Sequence, residues 1–458
     1  MQHKSRAIMQ IRGLANALVD LSDWAEYLGQ SRRLRNKNVP LFFFLSFAFF
    51  VPELALDELA VLFKLLQLAD IRRSSHFAPS SALNMQFLHW GALSTVLVGL
   101  IYPGLTVAVD ANSRAQIALN ALQNWYNATS GLWDTCGWWN GANCLTVVAD
   151  LAAIDPSVLD TATYVFGNTL QNAPAYNPQP GPEVQVQSRY EGGAANASEW
   201  MDSAYDDDAW WALAWIAAYD VTTDDTYLNL AQDIFSNLTK AWGTRCGGGG
   251  LQWSTTSSYI NAITNELFLS VAAHLANRAS SDSERETYVG WAQKQWDWFA
   301  AQDFIGSNYT INDGLLENCQ NNGQTVWSYN QGVILGGLVE LNRAAPNDTY
   351  LESANKIAQG AINTLCDANM VIHDVCEPNC APDATQFKGI FIRNLQMLQQ
   401  DSPNDIYKNV IEACANSIWE NDQNGQNQLG VNWAGPFSSA DASTHSSALD
   451  ALVAAIAV

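Results

Sequence analysis

What narrows the choice of fold for this chain is a recurrence. Tyr164, Tyr227, Tyr288, Tyr350 and Tyr407 sit in similar settings (TATYVFGNTL, DDTYLNLAQDI, RETYVGWAQKQ, NDTYLESANKI, NDIYKNVIEAC), at separations of 63, 61, 62 and 57 residues. A period of about sixty residues is the length of one helix-loop-helix hairpin. Each Tyr segment follows a second helical stretch rich in small or apolar residues, at 140–153, 204–219, 259–277, 327–343 and 384–400. An opening stretch at 112–125 and a closing one at 443–457 complete twelve helices, or six hairpins. Runs such as NELFLSVAAHL and QGVILGGLVEL are apolar on every face, the pattern of helices buried all round. An inner ring of six inside an outer ring of six is therefore expected: an all-α (α/α)6 toroid forming one domain over residues 109–458. An open helical solenoid would want polar capping repeats, whereas the last stretch, LDALVAAIAV, is apolar.

What precedes the repeats is a different kind of sequence. Residues 1–84 hold 10 Lys/Arg against 7 Asp/Glu, leaving 12 against 38 in the rest, where all 8 Cys also lie. From Met85 the chain reads MQFLHWGALSTVLVGLIYPGLTVAVDA and ends its apolar stretch in Thr106, Val107 and Ala108, the form of a secretory signal peptide over 85–108. His89, Gly91, Pro103 and Gly104 break the run short of the ~20 clean residues of a membrane span. Residues 1–84 are expected to be an upstream extension outside the mature fold, with the apolar run at 41–51 a competing signal or anchor. An exported chain should carry disulfides and glycans; the Cys count is even, and sequons stand at Asn127, Asn196, Asn237, Asn308 and Asn347. Cys376 and Cys380 have the spacing of two metal ligands, yet no second pair or His set accompanies them, so no metal or cofactor is expected.

A net charge of −23 excludes nucleic acid as a partner, because a polyanion is bound by clustered cations. The 18 Trp point instead to sugar, whose ring faces stack on wide aromatics. Asn140, Asn143, Asp206, Asp207, Asp208, Asn261, Asn265, Asn330, Gln331 and His445 all fall at or near the N-terminal ends of inner helices, so one mouth of the toroid collects them. Taken singly, each is explained as a helix cap or a first-turn charge. Taken with Trp133, Trp138, Trp139, Trp210, Trp211 and Trp253 nearby, they describe a cleft of aromatics and amides for a neutral oligosaccharide. Trp139, Asn140, Asn143, Asp208, Trp211, Trp253, Asn261, Asn265, Asn330 and Gln331 are the expected substrate contacts. Only Arg189, Arg245 and Arg393 are cationic candidates at that mouth, too few for an acidic sugar.

Glycosidic bond cleavage needs a proton donor and a second carboxylate. In YDDDAWW, adjacent helical residues have Cα atoms ~3.8 Å apart and point about 100° apart, so two carboxylates can flank one bond at the ~5 Å separation of retaining enzymes. One carboxylate at a helix N-terminus ionises easily, while its neighbour, beside a like charge and against Trp, holds its proton longer. The pair is Asp206 with Asp207 or, one place along, Asp207 with Asp208.

The segments GWWNGANCL, YDDDAWWALAWIAAYD, CGGGGLQW, YINAITNELFLSVAAHL and YNQGVILGGL, in this order, resemble glycoside hydrolase family 76, the fungal and bacterial endo-α-1,6-mannanases. The resemblance covers residues 110–458. It implies an (α/α)6 barrel, cleavage of α-1,6-linked mannose backbones with retention and without a metal, Asp206 as nucleophile and Asp207 as acid/base. Fungal members of this family include cell-wall proteins thought to act as transglycosylases that move the mannose-containing core of a lipid-anchored glycoprotein onto wall glucan. The implied partner is thus α-1,6-mannan or a mannose-containing glycan, met outside the cell, at the wall or at the outer face of the plasma membrane. No spacer and hydrophobic tail follow the last helix, so a free, monomeric secreted enzyme is the expectation.

Overall fold

The computed structural model describes residues 109–178 and 195–458. The signal expected at 85–108, the extension at 1–84 and Arg189 lie outside the described residues. Within them run twelve α-helices: α1 (Ala111–Leu122), α2 (Trp138–Ile154), α3 (Leu159–Asn172), α4 (Tyr205–Thr222), α5 (Asp225–Lys240), α6 (Ala262–Ala276), α7 (Asp282–Ala301), α8 (Ser328–Ala344), α9 (Asp348–Leu365), α10 (Phe387–Asp401), α11 (Asp405–Asn421) and α12 (Ala442–Ala454). Even-numbered helices pack side by side in chain order, and α12 returns onto α2. That contact closes the ring, so the toroid and not the open solenoid is formed. Each odd-numbered helix lies outside, α1 against α12 and every later one against the even-numbered helix before it.

The two rings begin their helices by different means. Five of the six outer helices start as solvent-facing helices do: Asp110, Asp224, Ser281, Asn347 and Asn404 each accept a backbone N–H two or three residues on, whereas α3 starts after Val158 without a side-chain cap. Inner helices start at Gly137, Ala204, Asn261, Trp327 and Gln386 with no side-chain cap, and only α12 has a capping box, from Asp441 and Thr444. The Asn and Asp residues expected at the mouth from sequence are therefore not caps. The Tyr recurrence marks outer helices throughout, but only Tyr227, Tyr350 and Tyr407 share a role, buried at the third helical residue; Tyr164 is exposed.

Three loops are pinned to the inner ring by a side chain one turn inside the helix that follows. Asn265 accepts the Leu251 N–H at 2.8 Å and donates to the Leu251 carbonyl at 3.0 Å. Gln331 does the same for Ile311, at 2.9 and 2.8 Å. His445 Nδ1 accepts the Leu429 N–H at 2.9 Å, while the Thr444 hydroxyl donates to the Leu429 carbonyl at 3.2 Å. The other ring nitrogen of His445 lies 2.7 Å from the Ala118 carbonyl, an acceptor only, which assigns the proton to Nε2. Between α8 and α10 the approach is so close that a Cβ on Gly332 would lie 2.5 Å from the Phe391 Cα.

Much of the tryptophan content is structural. Trp138, Trp200, Trp211 and Trp215 pack together with centroid separations of 4.7 Å for Trp200–Trp211, 4.8 Å for Trp200–Trp215 and 4.9 Å for Trp138–Trp211, and Tyr227 stacks on Trp215 at 5.3 Å. Trp133 is buried as well. Trp211 is fully buried in this cluster, which corrects its expected place among the substrate contacts. Four cysteines form two disulfides, Cys246–Cys319 and Cys376–Cys380, so the pair with metal-ligand spacing is a cross-link.

The pinning contacts make a stability prediction. Asn265→Leu keeps size but strands both backbone groups of Leu251, while the Gln295 amide loses its 3.1 Å bond to Asn265 Oδ1 and keeps the one to the Asn265 backbone carbonyl at 2.9 Å. We expect a loss of about 2–4 kcal/mol in urea unfolding. An unchanged midpoint would show that the loop is held by other means.

Candidate active site

All six inner helices run the same way, so their first turns share one end of the ring. Aromatic contacts tie that end together: Trp139 of α2 stacks on Trp210 at 5.7 Å and meets Phe387 of α10 at 6.2 Å, and Phe387 stacks on Tyr329 of α8 at 3.7 Å. The Trp139 indole reaches Asp383 at 3.5 Å. Two short antiparallel strand pairs frame the mouth. Of these, β1 (Tyr126–Asn127) pairs with β2 (Leu132–Trp133), and β3 (Ile260–Asn261) with β4 (Gly314–Leu315). The second pairing sets Tyr259 beside Asp313, and their side chains share a short hydrogen bond to which Asn322 adds a donor at 2.9 Å.

Helix α4 opens with Asp206, Asp207 and Asp208 because the chain before it is held extended: the Tyr205 N–H donates to the Trp253 carbonyl at 3.0 Å, and Ala204 bridges Ser254. The dipole at this end favours negative charge, yet burial wins for all three carboxyls. Asp206 is pushed up to about 7, chiefly by burial and further by the Asp202 charge, against hydrogen bonds from the backbone at Asp206 and Asp207 and, least, from Trp253, which favour ionisation. Burial also holds Asp207 well above the carboxylate range, and the charges of Asp206 and Asp202 add to it. Asp207 is hydrogen-bonded to Asp202, itself raised by burial. Asp208 is 1% exposed and accepts the Asp202 N–H at 2.8 Å. Its Oδ1 thus supports the turn into α4, while its Oδ2 has no partner among the described residues.

Within and beside this triplet, buried polar atoms without partners among the described residues gather on the starts of α4, α6 and α8: Asp206 Oδ1, Asp208 Oδ2, Asn261 Oδ1, the Thr264 hydroxyl, both Glu266 oxygens and both polar atoms of the Asn330 amide. Tyr329 feels the charges of Asp313, Asp206 and Glu266, and burial with those charges pushes its hydroxyl well up. Unpaired buried donors and acceptors are costly to a fold, and their concentration in one place marks where hydroxyl groups of a ligand can be received.

Of the residues expected as contacts, Trp139, Trp253, Asn261 and Asn330 meet at this mouth with groups to spare; Trp253 is 43% exposed. Asn140 donates to Gln386 at 2.8 Å, Asn143 donates to the Trp139 carbonyl at 3.3 Å and accepts from Arg393, and Asn265 and Gln331 pin loops. Those four amides are engaged within the protein. Arg393 lies against Trp210, with Asp450 as its ion-pair partner. A cavity of about 290 Å³ that it helps to line belongs to the opposite, C-terminal ends of the inner helices, with Asp150, His274 and Arg278. Arg245 is spent on three backbone carbonyls of Leu316, Glu317 and Ser258. Sequence reasoning missed Asp202, Tyr259, Thr264, Glu266, Asp313 and Tyr329. Glu266 was visible as the one acid inside NELFLSVAAHL, a run otherwise suited to burial; Asp313 carries no such mark.

The sequence profile of Glycosyl hydrolase family 76 matches residues 110–457. Mannan endo-1,6-alpha-mannosidase DCW1 of Candida albicans is 27% identical over 57% of this chain and 57% of its own. Mannan endo-1,6-alpha-mannosidase DFG5 of Saccharomyces cerevisiae is 26% identical over 55% of this chain and 58% of its own. The chain thus spans less than two thirds of the length of either relative. Dfg5 from Chaetomium thermophilum, solved with glucosamine, superposes with a TM-score of 0.63 at 20% identity, covering 78% of this chain and 92% of that one. An α-1,6-mannanase of a Salegentibacter species, solved as an inactive variant with two consecutive aspartates replaced by asparagine and α-1,6-mannotriose bound, superposes with a TM-score of 0.61 at 20% identity, covering 76% and 99%. These two structures share the helical fold.

Burial raises several acids besides the triplet: Asp422 and Asp450 to about 7, Asp150 and Asp374 to about 6. Each holds a proton in the folded chain that the unfolded chain, with carboxyls near 3.9, has released. The stability they contribute is full below about pH 4 and is lost as pH rises toward 7. His445, depressed to about 4 by burial, acts oppositely, losing stability as pH falls below its unfolded value near 6.5. With Asp206, Asp207, Asp208 and Glu266 also raised by burial, these acids outnumber the two depressed histidines, His445 and His274, so the melting temperature should fall between pH 5 and pH 8. Asp422→Asn should flatten that slope by raising the value at pH 8; a melting temperature that rises with pH in wild type would contradict the protonated reading.

Proposed function

The chain belongs to glycosyl hydrolase family 76, and from that premise we propose that it is a secreted, retaining glycosidase that cuts α-1,6-mannosidic bonds inside mannan. The observation that carries this reading is the pairing of two consecutive carboxyls, Asp206 and Asp207, in unlike surroundings beside a cluster of unpartnered buried polar groups. Asp206, with backbone N–H groups at the start of α4 and, to a lesser degree, Trp253 favouring its ionised form, is the nucleophile. Asp207, beside two like charges and hydrogen-bonded to Asp202, keeps its proton and serves as acid, then as base. Asp207 protonates the departing sugar oxygen as Asp206 attacks the anomeric carbon, and the resulting glycosyl-enzyme is opened by water that Asp207 deprotonates. Trp139, Phe387, Tyr329 and the exposed Trp253 offer stacking faces, and Asn261, Asn330 and Glu266 offer polar atoms to mannose hydroxyls.

The named relatives support mannan as substrate, and the bound mannotriose of the Salegentibacter enzyme supports a chain of α-1,6-linked units. The inactivity of that enzyme when consecutive aspartates are replaced supports the pair in α4. Asp208 turned inward toward Asp202 favours Asp206 with Asp207 over the pair shifted by one. Export through the 85–108 signal is part of the proposal, and Asn196, Asn308 and Asn347 are exposed sequon sites that suit it.

Two experiments test the assignment. Asp206→Asn should abolish turnover of α-1,6-mannan and of an activated aryl mannoside alike. Asp207→Asn should lose mannan cleavage yet keep formation of the glycosyl-enzyme from the aryl mannoside, with azide restoring turnover by replacing the deprotonated base. Equal loss for both substrates in both variants, or activity of the wild type on glucan only, would overturn it. In the second experiment, Trp253→Phe removes the N–H that favours the Asp206 carboxylate, so the acid limb of the pH–rate profile should move to higher pH. A limb that stays in place would remove Trp253 from the role assigned to it.

A further inference from the structure

Two disulfides cross-link this chain, and four more cysteines stand as thiols: Cys136, Cys144, Cys366 and Cys414. Cys136 and Cys144 face each other with sulfurs 3.4 Å apart. A disulfide joins sulfurs at ~2.05 Å, so closure needs an approach of about 1.4 Å, which side-chain rotation can supply. Where this pair lies gives it consequence. Cys136 stands two residues before α2, immediately upstream of Trp138 and Trp139, and Cys144 lies within α2.

Both thiols also touch the seam where the first inner helix meets the last. Cys136 Sγ lies 3.3 Å from the Ser443 hydroxyl, and Cys144 Sγ lies 3.8 Å from the Ala442 carbonyl. The neighbouring Thr135 hydroxyl accepts the Ala442 N–H at 3.0 Å. Some three hundred residues of chain separate the two sides, and α12 against α2 is the contact that closes the toroid.

We propose that Cys136 and Cys144 close as a third disulfide, formed by exchange with a disulfide donor, and that this bond holds the Trp138–Trp139 segment at the ring seam. The two thiols differ as an exchange pair requires. Cys136 is partly exposed and can meet an external disulfide, whereas Cys144 is fully buried and can be reached only from Cys136. The Cys136 thiolate attacks one sulfur of the donor RSSR, forming a mixed disulfide and releasing RS⁻. Cys144 then attacks the Cys136 sulfur and expels the second RS⁻, its own proton passing to that leaving group. In sum, two protein thiols are oxidised and one RSSR is reduced to two RSH. Burial raises the Cys144 thiol well above its ordinary value, so the second step waits on Cys136 having been activated by the donor.

The inference does not rest on the substrate assignment. Its test is a cross-link map of the full chain recovered from an oxidising secretory host, with free thiols blocked by iodoacetamide in denaturant and no reductant. Chymotrypsin cleaves after Trp138 and Trp139, between the two cysteines, so a closed bond makes the Cys136 and Cys144 fragments travel as one species. That species should be about 2 Da lighter than the two thiol fragments together and should separate on reduction. Carbamidomethyl groups on both cysteines would overturn the bond. Hydrogen exchange tests its consequence: amides of residues 135–140 should exchange several-fold faster once this bond is reduced. Unchanged exchange in that segment would overturn the holding role even where the bond is found.

Discussion

An α-helix leaves its first four N–H groups and last four carbonyls without intrahelical partners, and a helix at a surface satisfies them with a cap and water. The inner ring is packed so tightly that five of its six helices begin without a side-chain cap. The loops that lead into those helices must then be fixed from inside the ring. Asn265, Gln331 and His445 do so by holding a donor and an acceptor, or a donor alone, of the preceding loop. Because each clamp sits one turn into its helix, it orders the mouth of the toroid and the ring together. A loop fixed in this way can carry a functional side chain with little freedom: the loop held by Asn265 bears Trp253, and the one held by Gln331 bears Asp313.

The same constraint separates structural from functional polar groups. Around the mouth, Asn143, Asn265 and Gln331 have both amide atoms hydrogen-bonded within the protein, and Asn140 its donor, so these groups are spent chiefly on the fold. Asn261, Thr264, Glu266 and Asn330 retain atoms without a partner among the described residues. A buried amide left unmet costs about 1–3 kcal/mol. A fold that keeps several such costs in one place, between an aromatic wall and a run of carboxyls, has concentrated its strain where binding can relieve it.

How much of this could be read from the sequence follows from the geometry of a helix. The ring itself was legible, because a period near sixty residues and all-round apolar runs depend on secondary structure and burial alone. The sorting of the amides was not. Asn330 and Gln331 are neighbours in SYNQG, yet successive residues on a helix point about 100° apart, so Gln331 meets a loop while the Asn330 amide has no partner among the described residues. Asn261 and Asn265 share a face, but Asn265 spends one donor on the Asn261 carbonyl and the rest on Leu251, a contact made across 14 residues of loop. Trp211 and Trp253 likewise have the same side chain, and only the packing of α2 against α4 decides that the first is core. Asp202 and Asp313 come from irregular segments, where no periodicity exists to place them.

The third aspartate shows how a departure from a simple pair becomes part of the site. Asp208 turns into the core and accepts the Asp202 N–H at 2.8 Å, while Asp202 Oδ1 takes the Ala204 N–H at 2.6 Å. Those two bonds stand where a cap would, fixing the turn that enters α4. They also bring the Asp202 side chain against Asp207, and that contact, with the charges beside it and burial above all, holds the proton on Asp207. Asp208 therefore acts on Asp207 by way of the backbone of Asp202. Removing its carboxylate leaves the adjacent pair in place but frees the residue that sets their unlike surroundings, so the triplet behaves as two acids and their support.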